Sequence, residues 1–407
     1  MIDNLHTFDK VVNMRDNRKL EKNIRNHPVW IELSRNNLKH NWQSIQKVIG
    51  PKITVIAMVK SNAYGHGTVL IGRELEKLGA KYLGVSALPE AQELRYGEIK
   101  TPILIADWVE PDNIQRALAL KNITLTVSDT AHFDQIESAA KKLRQKIKIH
   151  INIDTGMHRE GVWPPKKAVE FATRAFKSPY VDLEGLFTHF ATAGDSDTSC
   201  VKQQLAAFNR CLDEIETKNI PLPKYIHAAE GASVMRFPEM YKGDPYKRFT
   251  AVRPGNIIYG LPPGSGFPYL FPLRKVMVAL KAKLAGVKII EKGETVGYDC
   301  TWKAKTTTRI GTVISGYTDG YRRSLSNKGY MLVHGMKAAV LGRISMNQTM
   351  IKLSLKDNYK VGDEVVIVGK QGSEEITIEE LAISMGTFWF EYIVTLHANR
   401  LPRFFVD

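Results

Sequence analysis

The chain has 407 residues, 43% hydrophobic and 24% charged, which is the composition of an ordinary globular protein with room for two sizeable cores and excludes a disordered or fibrous chain. Its formal net charge of +15 draws attention to nucleic acid, yet Lys and Arg are scattered without a run of five and no zinc-finger, RNA-recognition or basic-zipper signature occurs, so the charge reads as a solvated surface that also attracts anionic ligands. Three cysteines, Cys200, Cys211 and Cys300, make a disulfide framework or a metal cluster unexpected, and no apolar run reaches the length of a membrane span.

Residues 1–27 carry charges every few positions and lack the apolar core of a signal peptide, so a polar extension is expected there. The expected location is cytoplasmic, or periplasmic if a leader precedes this numbering. From Pro28 the chain becomes structured, with VWIEL followed by helical spacing of Leu38, Trp42 and Ile45 within Asn36–Val48.

Eight short apolar or β-branched runs follow: Ile53–Val59, Tyr82–Ala87, Pro102–Ala106, Ile123–Val127, Ile147–Ile153, Leu183–Thr188, Lys224–His227 and Phe249–Val252. Amphipathic segments alternate with them: Thr68–Leu78, Pro89–Tyr96, Asp112–Leu120, Asp129–Arg144, Pro165–Phe176, Thr198–Thr217 and a weaker one at Ala232–Phe237. Eight strand–helix units over roughly 200 residues are the pattern of a (β/α)8 TIM-type barrel. An open doubly wound sheet is the alternative, but its Gly-x-Gly-x-x-Gly turn is absent.

The Pro/Gly-dense segment Tyr259–Pro272 breaks this rhythm. We expect a barrel domain at 28–268 and a mostly-β C-terminal domain at 269–407, with strand-like runs at Val276–Ile290, Thr306–Ser315, Tyr330–Ile344, Thr349–Leu355, Glu364–Val368 and Tyr392–Ala398. One helix there, Ile378–Met385, starts at a capping box, Thr377-x-x-Glu380.

The chemistry-bearing residues fall at strand ends, where a barrel keeps its working groups. ITVIAMVKSNAYGHG, Ile53–Gly67, runs an apolar strand straight into Lys60. An ammonium at the rim of a core is partly stripped of water and gives up its proton more readily, which is how a lysine becomes a nucleophile toward an aldehyde. A solvated lysine in a strand-to-helix loop is the other reading, and Lys60 taken alone favours it. Asp154–Arg159 follows the fifth strand, His189 the sixth, Glu230-Gly231 the seventh and Arg253-Pro254-Gly255 the eighth. Five polar clusters therefore converge on one mouth.

VKSNAYGHG around Lys60, DTGMHREG at Asp154–Gly161, THFATAGD at Thr188–Asp195, VRPGNIIYGL at Val252–Leu261, GETVGYDCTW at Gly293–Trp302, GYTDGY at Gly316–Tyr321 and GRISMNQ at Gly342–Gln348 resemble, in order and spacing, the motifs of the pyridoxal 5'-phosphate (PLP)-dependent alanine racemases and their broad-specificity amino-acid racemase relatives. The resemblance runs from Trp30 to Arg403. It implies an isomerase interconverting L- and D-alanine, supplying D-amino acids for peptidoglycan, with PLP on Lys60 as a Schiff base. Tyr64, Gly231, Gly255 and Asn256 would hold the phosphate, and Arg253 would face the pyridine nitrogen, donating a hydrogen bond without protonating it. The resulting weaker electron sink suits reprotonation over transamination.

The resemblance further makes Lys60 one base and Tyr298 the other, on opposite faces of the α-carbon. An unassisted phenol is a weak base, so a His189–Arg253 hydrogen-bonded chain would supply positive charge. Tyr298 would come from the other subunit of a head-to-tail homodimer. Arg159 and the backbone N–H of Met346 would bind the substrate carboxylate, and Tyr317 would line the entrance.

This chain departs from the family pattern at several points. Asn152 stands where many members carry a carbamylated lysine, leaving a gap that an anion such as chloride would fill. Glu230-Gly231 replaces Asn-Ser, Phe390 replaces a phosphate-contacting tyrosine, and Ser345 and Asn347 replace Cys and Asp. Asn152 and Asn347 resemble the broad-specificity branch, and the phosphate-site changes imply lower PLP affinity. A PLP-dependent decarboxylase is disfavoured by the lack of Gly-Gly-Gly and by Arg253 in place of an acid. A non-enzymatic PLP carrier is disfavoured by the C-terminal region with Gly293–Trp302. Binding of nucleic acid, membrane or metal is not expected.

Overall fold

The computed structural model describes residues 27–242, 248–264, 267–396 and 401–407, so the polar extension expected at 1–27 lies, apart from its last residue, outside the described residues. Two compact units are present: a barrel unit of residues 36–64 and 68–275, and a β unit of residues up to 35, 65–67 and 276–407.

In the barrel unit, eight parallel strands follow the expected runs: β2 (Thr54–Met58), β3 (Tyr82–Val85), β4 (Ile103–Ile105), β5 (Ile123–Val127), β6 (Ile147–Asn152), β7 (Val181–Phe187), β8 (Tyr225–His227) and β9 (Ala251–Val252). From β2 to β8 each strand pairs with the next, and β9 pairs with β2, Val55 opposite Val252. Backbone bonds from Thr250 N to the Ile226 carbonyl (3.0 Å) and from Arg253 N to the Ala229 carbonyl (2.7 Å) tie the last two strands together and close the ring. Parallel strands covered on both faces read as continuous apolar runs rather than as alternation. That is why β5 is buried along its whole length.

Helices cover the outside of the ring. Thr130–Leu143 buries Phe133, Ile136, Ala139 and Ala140 at helical spacing, with Asp129 Oδ1 accepting from His132 N as its N-cap. Ser199–Thr217 buries an otherwise apolar face interrupted by a single amide, Gln204.

The interior of the ring holds an apolar cluster of Ile56, Met58, Tyr82, Leu104, Tyr225 and Ala251. A polar cluster stands beside it: Glu184 Oε2 lies 2.8 Å from Tyr82 Oη and 2.9 Å from Thr124 Oγ1, and Glu184 Oε1 accepts from Lys148 Nζ at 2.6 Å.

The β unit is organised on the long strand β10 (Met277–Ile290), which pairs antiparallel with β1 (Val29–Leu33), β13 (Thr308–Val313) and β17 (Glu364–Gln371). The run Val29–Leu33 thus belongs to this sheet, bonded between β10 and the parallel strand β19 (Arg403–Phe405), and the division between units falls at 275/276. The stretch Tyr330–Ile344 is a hairpin of β14 (Tyr330–Val333) and β15 (Met336–Ala339) around a turn at His334 and Gly335, both in left-handed backbone.

One expectation is corrected: the described part of Tyr392–Ala398, residues 392–396, is no strand, because Trp389–Thr395 is helical and buries Tyr392 and Ile393. Its aromatic and β-branched residues carry strand propensity, but burial of adjacent side chains on a helical stripe outweighs it. Residues 397–400 lie outside the described residues.

Ile31 is fully buried in the β unit. Ile31→Ala is expected to lower unfolding stability by about 2–5 kcal/mol, read as a shift of the urea midpoint. An unchanged midpoint would contradict the seating of β1 between β10 and β19.

Candidate active site

Strand β2 ends at Met58, and the backbone beyond Lys60 turns left-handed: Ser61, Asn62, Ala63 and Tyr64 have φ of 52°, 54°, 51° and 53°. For L-residues that conformation costs roughly 1–2 kcal/mol each, so it persists only where the surroundings hold it. Glu90 ties the first residue of the turn to the end of β3. Its Oε1 accepts from Ser61 N at 2.5 Å, while Oε2 accepts from Ser86 N at 2.8 Å and Ala87 N at 3.3 Å. Asn62 Oδ1 accepts from Thr68 N at 2.9 Å, anchoring the other end of the turn to the next helix.

The turn delivers Tyr64 onto Tyr259, rings stacked with centroids 5.0 Å apart, and brings its hydroxyl against Gly255. A Cβ on Gly255 would stand 2.2 Å from Tyr64 Oη, and one on Gly231 would stand 1.8 Å from Asn256 Oδ1. The two glycines thus let a phenol and an amide approach the backbone closely beyond the ends of β8 and β9. Glu230 caps Gly231–Arg236 by accepting from Ala232 N (2.8 Å) and Ser233 N (2.9 Å), so a carboxylate stands where an anion would otherwise be held.

Arg253, after β9, is 6% exposed. It donates from Nη1 to His227 Nδ1 (2.5 Å) and from Nη2 to the Thr188 carbonyl (2.8 Å) and His189 Nδ1 (3.2 Å), and its guanidinium lies 4.7 Å from the Phe187 ring centroid. Burial brings its pKa down to about 10, with Glu230 opposing and Arg159 assisting, so it stays charged at neutral pH. Burial, and then the positive charges of Arg253, Arg159 and Lys60, push the His189 pKa down to about 3. His189 is therefore a neutral imidazole whose Nδ1 accepts, leaving its proton on Nε2.

Arg159 is exposed on the loop after β6. Asp154 Oδ1 builds that loop by accepting from the N–H groups of Gly156, Met157 and His158 (2.9–3.1 Å). Asn152 donates to the Glu160 carbonyl at 3.0 Å, an anchoring role open to an amide. Gln204 fixes the neighbouring loop through the His189 carbonyl and Ala191 N, both at 2.9 Å.

The β unit collects the remaining expected residues. Tyr298, in the turn after Gly297, is 64% exposed beside Asp299, whose carboxylate is paired with Arg343 (3.3 Å) and Arg323 (3.8 Å). Tyr317, Ser345, Met346 and Asn347 form one knot: Tyr317 N donates to the Ser345 carbonyl, Thr318 N and Oγ1 donate to the Met346 carbonyl, and Asn347 Nδ2 donates to Thr318 Oγ1. Phe390 stacks on Trp389 with centroids 3.8 Å apart.

Lys60, Tyr64, Arg159, His189, Gly231, Arg253, Gly255 and Asn256 thus sit in one unit at the C-terminal ends of its strands, and Tyr298, Tyr317 and Met346 in the other. Sequence reasoning missed Glu90, Gln204 and the buried His227, His150 and Glu184. A Glu at the third position of a helix, one amide on an apolar helix face and lone histidines in apolar strands were the available signals.

A lysine on a strained turn, a phenol and an amide packed on glycine backbone, and a buried donor-only cation gather at the strand ends of one barrel, where barrel enzymes keep their working groups. The chain matches the models of the alanine racemase N-terminal domain over residues 33–263 and C-terminal domain over 277–405. It is 37% identical over 379 residues to an alanine racemase of Desulforamulus reducens, covering 93% of this chain and 99% of that one. The alanine racemase structure from Bacillus anthracis with bound L-Ala-P superposes with a TM-score of 0.84 at 32% identity, covering 94% and 95% of the two chains. A histidine racemase from Leuconostoc mesenteroides superposes with a TM-score of 0.82 at 26% identity, covering 94% and 99%.

The chain belongs to the alanine racemase family. That family is one of PLP-dependent isomerases, and the barrel followed by a mostly-β domain is its architecture. Among the described residues, no helix is long and apolar enough to cross a membrane.

Two outcomes follow. Glu90→Gln removes the charge and one acceptor beneath the turn, and a stability loss of about 1–3 kcal/mol with weaker retention of added PLP on gel filtration is expected; an unchanged melting temperature and full retention would contradict the restraint. The folded pKa values of His189, His227 and His150 are depressed below that of a free imidazole, chiefly by burial. The unfolded chain therefore takes up protons first as pH falls through about 6.5, so stability present above that pH is lost on acidification toward the folded values. Melting temperature against pH reads this, and a flat profile from pH 7.5 to 4.5 would contradict it.

Proposed function

We propose that this enzyme racemises alanine with PLP bound at Lys60, using Lys60 and Tyr298 as the two proton-transferring groups. The observation that carries the reading is Arg253, a buried cation holding two neutral imidazoles at the C-terminal ends of the strands, where Lys60 follows β2. PLP, when bound, withdraws electrons from the α-carbon of an amino acid. Lys60 Nζ exchanges the α-proton on one face. Arg253 can only donate, so it can bond the pyridine nitrogen without giving up a proton. Tyr64 Oη, with the backbone at Gly231, Gly255 and Asn256, fits the phosphate, while the Glu230 carboxylate nearby lowers affinity for that anion. Arg159 matches a substrate carboxylate with its planar fork.

Tyr298 serves the opposite face, and we infer that it does so in the site of a second copy of this chain. Its exposure supports that reading, as does the exposure of Met346 and Tyr317 in the same unit. His189, neutral with its proton on Nε2, is suited to donate toward such a phenol. A second reading extends the substrates to larger or basic amino acids, supported by the neutral Asn152 and Asn347.

A panel of L-amino acids with added PLP, followed by chiral chromatography, tests the reading. Alanine should racemise, Lys60→Ala should abolish turnover, and Tyr298→Phe should cut it on the order of 10²- to 10⁴-fold. Mixing the two inactive variants under subunit exchange should restore activity, because a mixed pair retains one site with Lys60 and Tyr298 both intact. No recovery despite proven exchange would place Tyr298 in its own chain's site. No turnover of any amino acid by a PLP-loaded protein would overturn the reading.

A further inference from the structure

We propose that Glu184 is a positioning residue for Arg253, acting through the two buried imidazoles of His150 and His227 that lie between them. A guanidinium donates and never accepts. Arg253 Nη1 lies 2.5 Å from His227 Nδ1, so that nitrogen carries a lone pair and the proton of neutral His227 is on Nε2. His227 Nε2 lies 2.9 Å from His150 Nδ1, which must then accept, so the His150 proton is also on Nε2.

His150 Nε2 has no closer partner among the described residues and faces Glu184 Oε2 at 3.7 Å. The line therefore runs from a donor-only cation to an acceptor-only carboxylate, and only one assignment of protons satisfies both junctions along it. The opposite polarity would set N–H against N–H.

Other observations support a built device. His150, His227 and Glu184 lie on the adjacent strands β6, β8 and β7. Gly185 makes room for His150, since a Cβ there would stand 2.6 Å from the ring. Phe187 stacks on His227 at 5.0 Å, with planes 8° apart, and also lies under Arg253. Lys148, Tyr82 and Thr124 hold the Glu184 carboxylate, and Lys224 adds positive charge nearby. Those bonds keep Glu184 ionised despite its burial, and burial keeps both histidines neutral.

With the negative end removed, only Arg253 still opposes the reversed tautomers, so a state with the His150 proton on Nδ1 becomes more populated. That proton would meet the N–H of His227, turn its tautomer as well, and leave Arg253 facing a donor. The consequence for turnover rests on Arg253 serving the cofactor as proposed above; the tautomer assignment does not.

The test is ¹⁵N NMR of histidine-labelled protein with added PLP, with His150 and His227 assigned by single substitutions, alongside kcat, KM and the visible absorbance of bound PLP for Glu184→Gln and Glu184→Asp. Wild type should show both imidazoles neutral and protonated on Nε2. Glu184→Gln should shift one or both toward Nδ1–H, alter the PLP absorbance and lower kcat about tenfold or more, as loss of outer-shell partners commonly does, with KM changed less than about threefold. Glu184→Asp should keep the tautomers and recover most of kcat. A charged imidazole or an Nδ1–H tautomer in wild type at pH 7.5 overturns the proposal without any variant. Equal loss in both variants with unchanged tautomers reduces Glu184 to packing and also overturns it. If no amino acid is racemised, the cofactor reading fails and the wild-type tautomers still decide this one.

Discussion

A buried guanidinium is the constraint on which the rest of this site depends. An ionised group inside a protein persists only with partners, and leaving one uncompensated is costly. The barrel meets that demand with a backbone carbonyl, two imidazoles kept neutral by burial, and the face of Phe187. Because the imidazoles must accept from Arg253, their tautomers are dictated, and the proton on His189 is turned away from the cation. One cation thereby fixes the hydrogen-bond polarity of the strand ends around it.

The same rim stores strain. Four successive left-handed residues beyond Lys60 would not persist in an isolated chain; Glu90, anchored on Ser86 N and Ala87 N, holds the first through Ser61 N, and Asn62 Oδ1 ties the second to Thr68 N. The result is a rigid offset between strand β2 and the following helix that presents Lys60 and directs Tyr64 toward Gly255. Preorganisation of this kind places reactive groups before a ligand arrives, so binding energy is not spent on ordering them. The departures from the family pattern sit around this frame rather than in it: Glu230 caps a short helix, and Asn152 anchors the loop that carries Arg159.

Much of this was legible in the chain, and what was hidden has physical reasons. Fully buried parallel strands are short, continuously apolar and separated by amphipathic helices, so all eight could be read and the barrel with them. Strand VWIEL could not be assigned to its sheet, because nothing local says that a strand at residue 29 pairs with one at residue 282. Trp389–Thr395 reads as a strand by residue type and is a helix by packing. Among site residues, Lys60 and Arg253 stood out through motif and position. Glu90 and Glu184 act through backbone amides and other side chains, contacts that sequence spacing does not encode. His227 and His150 showed only as polar intrusions in apolar strands.

The central claim is that Lys60 is the group that carries the cofactor in this family member. Reduction of the PLP-loaded protein with borohydride, followed by proteolysis and mass spectrometry, tests it directly. The account predicts one pyridoxyl-modified peptide, containing Lys60, and none in Lys60→Ala. A label on a different lysine, or a fully loaded protein with no label at Lys60, would contradict it.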